Sequence, residues 1–208
     1  MLCPFGINSG LIVRSVDPFN AEPHLRQPIS DYVTPQSEFY VRSHGEIPRL
    51  DATTYHLRVT GKVQKPLELS MEALRHEFPR HTVNAVMQRA GNRRGDLLQV
   101  APVSGDPWSA GAIGNARRGG IVLADVLRAA GVDDGAGLHV AFNSLDDCKV
   151  NDERFRFGVS IPMAKAMAPE VLLAFEMNGE ALHPSMAFPY APSCRASRGC
   201  AAQNGWPK

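Results

Sequence analysis

The sequence predicts an α+β protein. Short runs rich in apolar and β-branched residues recur along the chain, several with period-two alternation, and read as strands. Among them lie three segments with helical spacing and start or stop signals of their own. With 208 residues, 44% of them hydrophobic, the chain can bury one sizeable core, and no internal repeat is visible.

Residues 1–38 carry Pro18, Pro23, Pro28 and Pro35 among polar groups and are expected to wrap the surface as extended segments and turns. Tyr55 to Gly61, YHLRVTG, alternates apolar and polar residues as a half-buried strand does, and Leu67-Glu68-Leu69 reads as a second short strand. Ser70 is a natural N-cap for a helix over MEALRHEF, with Glu72 in its first turn and Pro79 as its stop. Val83 to Met87 forms a strand that halts at the turn-forming Gly91-Asn92. Residues 100–120, VAPVSGDPWSAGAIGNARRGG, are dense in glycine and proline and are expected to be a long functional loop. Val122 to Ala130 has helical spacing and ends at Gly131, a suitable left-handed cap. Leu138 to Asn143 and Phe157 to Ile161 read as strands, Pro162 suits the first turn of a helix over Met163 to Met167, and Val171 to Met177 reads as a buried strand.

Net charge is +1, from 22 basic and 21 acidic residues, so no molecule-wide field points to nucleic acid. Basic residues pair only locally, at Arg93-Arg94 and Arg117-Arg118. The four cysteines (Cys3, Cys148, Cys194, Cys200) show no CxxC spacing, which suits a reducing compartment. The first twenty residues show neither a basic segment followed by an apolar one nor a twin arginine, and no stretch is long enough to span a bilayer. The expectation is a cytoplasmic protein without a membrane partner. His56, His76 and His81 fall on scaffold elements and read as surface or packing residues.

The stretch with chemical content is Val83 to Asp96, VNAVMQRAGNRRGD. A strand ending in a small glycine-containing turn lets backbone approach a ligand, and paired guanidiniums grip oxyanions with forked hydrogen bonds. A basic turn on a solvated face is the competing reading. MQRAGNRR resembles the signature of the sulfite oxidase family of molybdenum enzymes, and the resemblance runs from about Pro18 to Pro189. DPFNAEP at 17–23, DYVTPQSEFYVRSHGEIPRLD at 31–51 and FGVSIPMAKAMAPEVLLAFEMNGEAL at 157–182 carry it further. It implies the α+β, mixed-sheet, molybdopterin-binding fold over residues 1–189. It also implies a Mo-molybdopterin cofactor, oxidation of sulfite to sulfate by oxygen-atom transfer, and a haem or cytochrome as electron acceptor.

Site residues follow from the same resemblance. Tyr40, Val41, Arg42, Ser43 and His44 match the segment that lies against the pterin. An arginine and a histidine two apart on an extended chain share one face, so Arg42 and His44 can meet one oxyanion, although an exposed strand end would look the same. Asp146 matches an aspartate near the pterin amino groups. Arg42 and Arg94 match cations that attract the sulfite dianion, and Trp108 matches a tryptophan beside the substrate pocket.

Three positions depart from the family. Arg89 stands where the family places the cysteine whose thiolate binds molybdenum, so no metal ligand is assigned in this chain. A metal of this kind wants a soft anionic donor, whereas a guanidinium stays protonated and has no lone pair to give. One base change converts a cysteine codon to an arginine codon. Met186 replaces a histidine before the family's glycine-phenylalanine-proline, here Ala187-Phe188-Pro189, and a thioether donates no hydrogen bond. From Tyr190 the tail YAPSCRASRGCAAQNGWPK no longer resembles the family. Read one base earlier from the end of the Pro189 codon, permitted synonymous codons spell VRAVVPGVSGLRSAKWLAQ, which resembles the family's continuation. The expectation is therefore a frameshifted, truncated chain. Residues 190–208 would be poorly ordered, with the domain's C-terminal strands and the dimerisation domain absent. The alternative to a sulfite oxidase-like enzyme is a catalytically inactive remnant without molybdenum, with weak pterin or anion binding at most.

Overall fold

The computed structural model describes residues 10–25, 31–45, 47–48, 50–133, 135, 137–150, 153–183 and 191–193. Its centre is a five-stranded sheet built from β6 (Arg80–Gln88), β7 (Ile113–Val122), β10 (Leu172–Met177), β11 (Glu180–Ala181) and β12 (Ala191–Ser193). β7 lies between β6 and β10, and the ladders on either side of it are antiparallel. β10 is buried on both faces apart from Glu176, as its unbroken apolar run requires. β6 is the edge strand and is mostly exposed.

One face of the sheet packs Ile121, Leu173 and Phe175 against Leu74 of α1 (Met71–His76), Val126 and Leu127 of α3 (Leu123–Ala129), and Met163 and Ala166 of α4 (Met163–Ala166). The β4 (His56–Val59) and β5 (Leu67–Ser70) hairpin closes that layer with Leu57, Val59, Leu67 and Leu69. The other face buries Ala116, Ala174 and Met177 beneath Phe39, with Tyr40 and Met87 partly buried at its margin. A second long hairpin pairs β8 (His139–Val150) with β9 (Glu153–Pro162).

Local signals account for these elements. The Ser70 hydroxyl accepts from the Ala73 amide at 3.1 Å, and α1 stops before Pro79. Gly131 has φ +64°, and the amides of Gly131 and Val132 donate to the carbonyls of Arg128 and Leu127, so α3 closes in a Schellman motif. Asn178 and Gly179, at φ +58° and +90°, make the tight turn between β10 and β11, which is why NG follows Glu176-Met177. No helix among the described residues is long and apolar enough to cross a membrane.

The structure corrects two expectations. Residues 12–42 are more than a surface wrap: β1 (Ile12–Ser15), β2 (Asn20–Glu22) and β3 (Val41–Arg42) form a sheet of their own, and β2 is wholly buried. The long loop ends at Ala112, and from Ile113 onward the chain is the middle strand of the main sheet. Its glycines answer close packing. A Cβ on Gly114 would enter the Phe39 ring, and one on Gly120 would sit 2.7 Å from the Ala174 Cα. Glycine density marks a loop only when nothing crowds the backbone. Ala191–Ser193 pair beside Leu172–Ala174 as β12. A strand edge with unpaired amides and carbonyls accepts an extended segment whatever its sequence history. Residues 190 and 194–208 lie outside the described set, as do Met186 and its neighbours through Pro189.

Gly120→Ala should therefore lower stability by about 3 kcal/mol, because the obstruction is backbone and cannot swing away. Urea unfolding followed by circular dichroism checks this; a loss near zero would mean that β7 and β10 can separate.

Candidate functional site

The AGNRR stretch leaves β6 and folds against residues 108–112. The Arg89 amide donates to the Ala112 carbonyl at 3.0 Å, and the Ala112 amide donates to Asn92 Oδ1 at 3.1 Å. The Arg93 and Gly95 amides donate to the carbonyls of Ser109 and Trp108, each at 2.8 Å. Arg93 takes a left-handed conformation, φ +65°, and turns the chain into α2 (Arg94–Leu97). Gly91 leaves room for the side chains on either side: a Cβ there would overlap the Arg89 guanidinium and lie 2.9 Å from Arg94 Nη2. Both guanidiniums thus crowd one point above the turn. Arg93 faces away and pairs with Asp96 at 2.7 Å on the exposed side.

Arg89 lies over the Trp108 ring, its guanidinium carbon 4.7 Å from the centroid. Trp108 is fully buried, and neither its Nε1 nor Arg89 Nε finds an acceptor among the described residues. From β3, Arg42 enters the same neighbourhood. Its Nη1 donates to the Ser43 carbonyl and its Nη2 to His44 Nδ1 at 3.2 Å. A guanidinium can only donate, so Nδ1 carries a lone pair and the imidazole is neutral. The ring stacks on Phe157 of β9 with centroids 4.7 Å apart. Burial, then the positive charge of Arg42 and of Arg89, lowers the His44 pKa to about 4. Burial also pulls Arg89 down to about 10, with repulsion from Arg42 and Arg94 next. Arg42 is shifted downward too, first by burial, against the counter-pull of Asp106.

Of the residues expected from sequence, Arg42, His44, Arg94 and Trp108 fall within this one region, together with Arg89. Val41 does not face it: its side chain is buried with Leu11 and Ala21 in the core of the small sheet. Ser43 contributes its amide, which donates to Asn20 Oδ1 at 2.8 Å. Tyr40 stacks on Phe39 at the margin of the main core, and burial pushes its hydroxyl up to about 12 despite Arg118 and Arg89 nearby. The Asp146 backbone lies on β8 between the paired residues Asn143 and Asp147, where the register shifts, and its side chain lies outside the described set.

Sequence reasoning passed over Asn20, Glu22, Asp106 and Arg118. Asn20 is the hub: its Oδ1 accepts from Ser43, and its Nδ2 donates to Asp106 Oδ2 at 3.1 Å. Buried Glu22 takes Arg14 Nε at 2.6 Å and the Ser109 amide at 2.7 Å on the same oxygen, fastening the 108–112 segment to β2. The signal was present in NAE within DPFNAEP, where two polar residues flank an alanine in an otherwise weak strand. Arg118 belongs to the neighbouring wall, over the Phe39 ring at 5.1 Å, whereas its partner in the RR pair, Arg117, is exposed.

Such a constellation defines a class: an α+β domain with a cationic, partly desolvated cluster suited to a small oxyanion. The chain belongs to the oxidoreductase molybdopterin-binding domain family, whose model matches residues 44–191. It is 43% identical to sulfite oxidase of Gallus gallus over 184 residues, covering 86% of this chain and 39% of that protein. Mitochondrial sulfite oxidase of Homo sapiens is also 43% identical, over 86% of this chain and 33% of its own length. For sulfite oxidase of Arabidopsis thaliana the figures are 42%, 86% and 47%. The chain therefore spans about a third to a half of these relatives. The sulfane dehydrogenase SoxCD of Paracoccus pantotrophus shares the fold with a TM-score of 0.67 and 29% identity, over 86% of this chain and 43% of that one. The sulfite oxidase-like, molybdopterin-binding α+β domain is thus the architecture of this protein, and Mo-molybdopterin is its family's cofactor.

The donor set at position 89 does not fit molybdenum. Even at about 10, the Arg89 pKa leaves a cation at neutral pH, and its only described side-chain partner is an indole face. No cluster of three or more His, Cys, Asp or Glu side chains among the described residues substitutes for it. Buried Cys148 sits on β8, bridged to Gly45, and does not occupy the turn.

Because His44 is held neutral in the fold but titrates near 6.5 once unfolded, the unfolded chain takes up its proton first as pH falls. Its stabilising contribution is complete above about pH 6.5 and is lost toward pH 4. The urea midpoint should drop across that window, and His44→Phe, which keeps the stack on Phe157, should flatten part of the drop. An identical pH profile in parent and variant would contradict this.

Proposed function

We propose that this chain is an oxyanion-binding domain of sulfite oxidase type that holds sulfite or its product sulfate without oxidising it. One observation carries the proposal: Arg89 and Arg94 converge over Gly91 with Arg42 near enough to repel Arg89, and none of the three has a salt-bridge partner among the described residues. Partly buried cations that outnumber their counter-ions are costly, and an anion placed among them recovers that cost through charge-assisted forked hydrogen bonds. Asp106 and Asn20 set the position of Arg42 from behind, and neutral His44 fixes its fork by accepting one N–H. These are the duties of a substrate cradle, and sulfite is the anion in the names of the relatives.

Oxidation of sulfite to sulfate, with electrons passing to a haem or cytochrome, is the competing reading, and identity to sulfite oxidases over most of this chain favours it. Against it stands the chemistry of position 89, where the resemblance calls for a thiolate and the chain supplies a guanidinium.

Protein purified from molybdenum-replete cells should carry less than about 0.1 molybdenum per chain by mass spectrometry and show no sulfite-dependent dye reduction. Stoichiometric molybdenum with turnover would restore the oxidase reading. Titration calorimetry at low salt should detect sulfite and sulfate, and Arg94→Gln should weaken both by about tenfold or more. Undiminished binding in that variant would move the cradle elsewhere.

A further inference from the structure

We infer that Arg89 is the third cation of a metal-free site that selects dianionic tetrahedral oxyanions, of the sulfate and hydrogen phosphate kind, over monoanions. The inference rests on the oxyanion-binding reading above and adds to it a role for the residue that stands in the metal-ligand position.

A charge count comes first. Arg42, Arg89 and Arg94 bring three positive charges to the pocket and Asp106 brings one negative charge, hydrogen-bonded by Asn20 Nδ2 at 3.1 Å. His44 is neutral at physiological pH, because its Nδ1 accepts from Arg42. Among the described residues the remainder is two unit charges, which a dianion cancels and a monoanion leaves half unmet. Arg118 is not in the count: it donates to Met87 Sδ at 3.2 Å and stacks on Phe39, behind Tyr40.

Geometry adds a second, independent support. The Arg89 guanidinium lies over the Trp108 ring, and its Nη1 comes close to the Arg94 Nη2 over the glycine that makes room for both. A held guanidinium loses little side-chain entropy when it binds, so its affinity is pre-organised. Its buried Nε also lacks an acceptor among the described residues. A cation forced into a metal-ligand position by chance would be expected to turn outward to water, as Arg93 does next to it. Arg89 instead stays inside, stacked and beside two like charges.

Sodium sulfate, sodium phosphate and sodium nitrate, titrated calorimetrically at matched ionic strength, provide the test. The intact chain should bind sulfate at least about tenfold more tightly than nitrate. Arg89→Gln should lose about tenfold toward sulfate and less toward nitrate, so the ratio falls toward one, whereas Arg89→Lys should keep most of it. Phosphate binding equal to sulfate identifies a general dianion site. Sulfate alone identifies a site that rejects the extra hydroxyl of hydrogen phosphate. Both results support the inference. If Arg89→Gln binds with an unchanged sulfate-to-nitrate ratio, the inference falls while the Arg42–Arg94 cradle stands. If the folded intact chain binds none of the three anions, both fall. If Arg89→Gln fails to fold, thermal shifts of the intact chain decide: a larger shift with sulfate than with nitrate supports the site, and equal shifts overturn it.

Discussion

The backbone ladder between residues 89–95 and 108–112 sets everything near the pocket. Three peptide hydrogen bonds and the Asn92 side chain fix the direction in which the turn leaves β6. Because that turn is clamped, the side chains before and after Gly91 are driven into the same volume. Like charges would otherwise separate. Their proximity is imposed by main-chain geometry, and burial, with repulsion from Arg42 and Arg94, lowers the proton affinity of Arg89. The glycine, the left-handed Arg93 and the tryptophan beneath form one mechanical unit.

Support for that unit comes from far away in the chain. Glu22 ties the Ser109 amide to β2, and Asn20 joins Ser43 to Asp106, so the small N-terminal sheet carries the outer wall of the pocket. The main sheet carries the inner wall through β6 and β7. Neither half alone brings Arg42 to Arg89. The buried Asn20 amide is satisfied by partners on other segments, and the buried Glu22 takes two donors on Oε1 while its Oε2 has no partner among the described residues; these cross-segment bonds specify how the halves meet.

Much of this was legible in the sequence, and what was not has physical causes. Helices α1 and α3 announce themselves through Ser70 and Gly131, because capping is local chemistry. Arg94 was legible through the AGNRR resemblance and Arg42 through the match at 31–51, whereas Arg89 was legible only as the departure from the family's cysteine. β7 was not, since its glycines report contacts with Phe39 and with β10 that exist only after folding. Asn20, Glu22 and Asp106 were missed for the same reason: their partners lie 23, 87 and 86 positions away. Val41 was misjudged in the opposite sense. It borders ligand-facing neighbours along the chain, but strand alternation sends its side chain to the core.

Asn20 also makes the cradle a product of tertiary docking. Three segments that begin far apart in the chain must assemble before Arg42 has its position, so loosening β1–β3 would dissolve the binding geometry while leaving the main sheet intact. Anion affinity and the local unfolding of the N-terminal sheet are therefore thermodynamically linked. An occupied pocket would slow amide exchange in β2 and β3, strands whose hydrogen bonds never touch the anion.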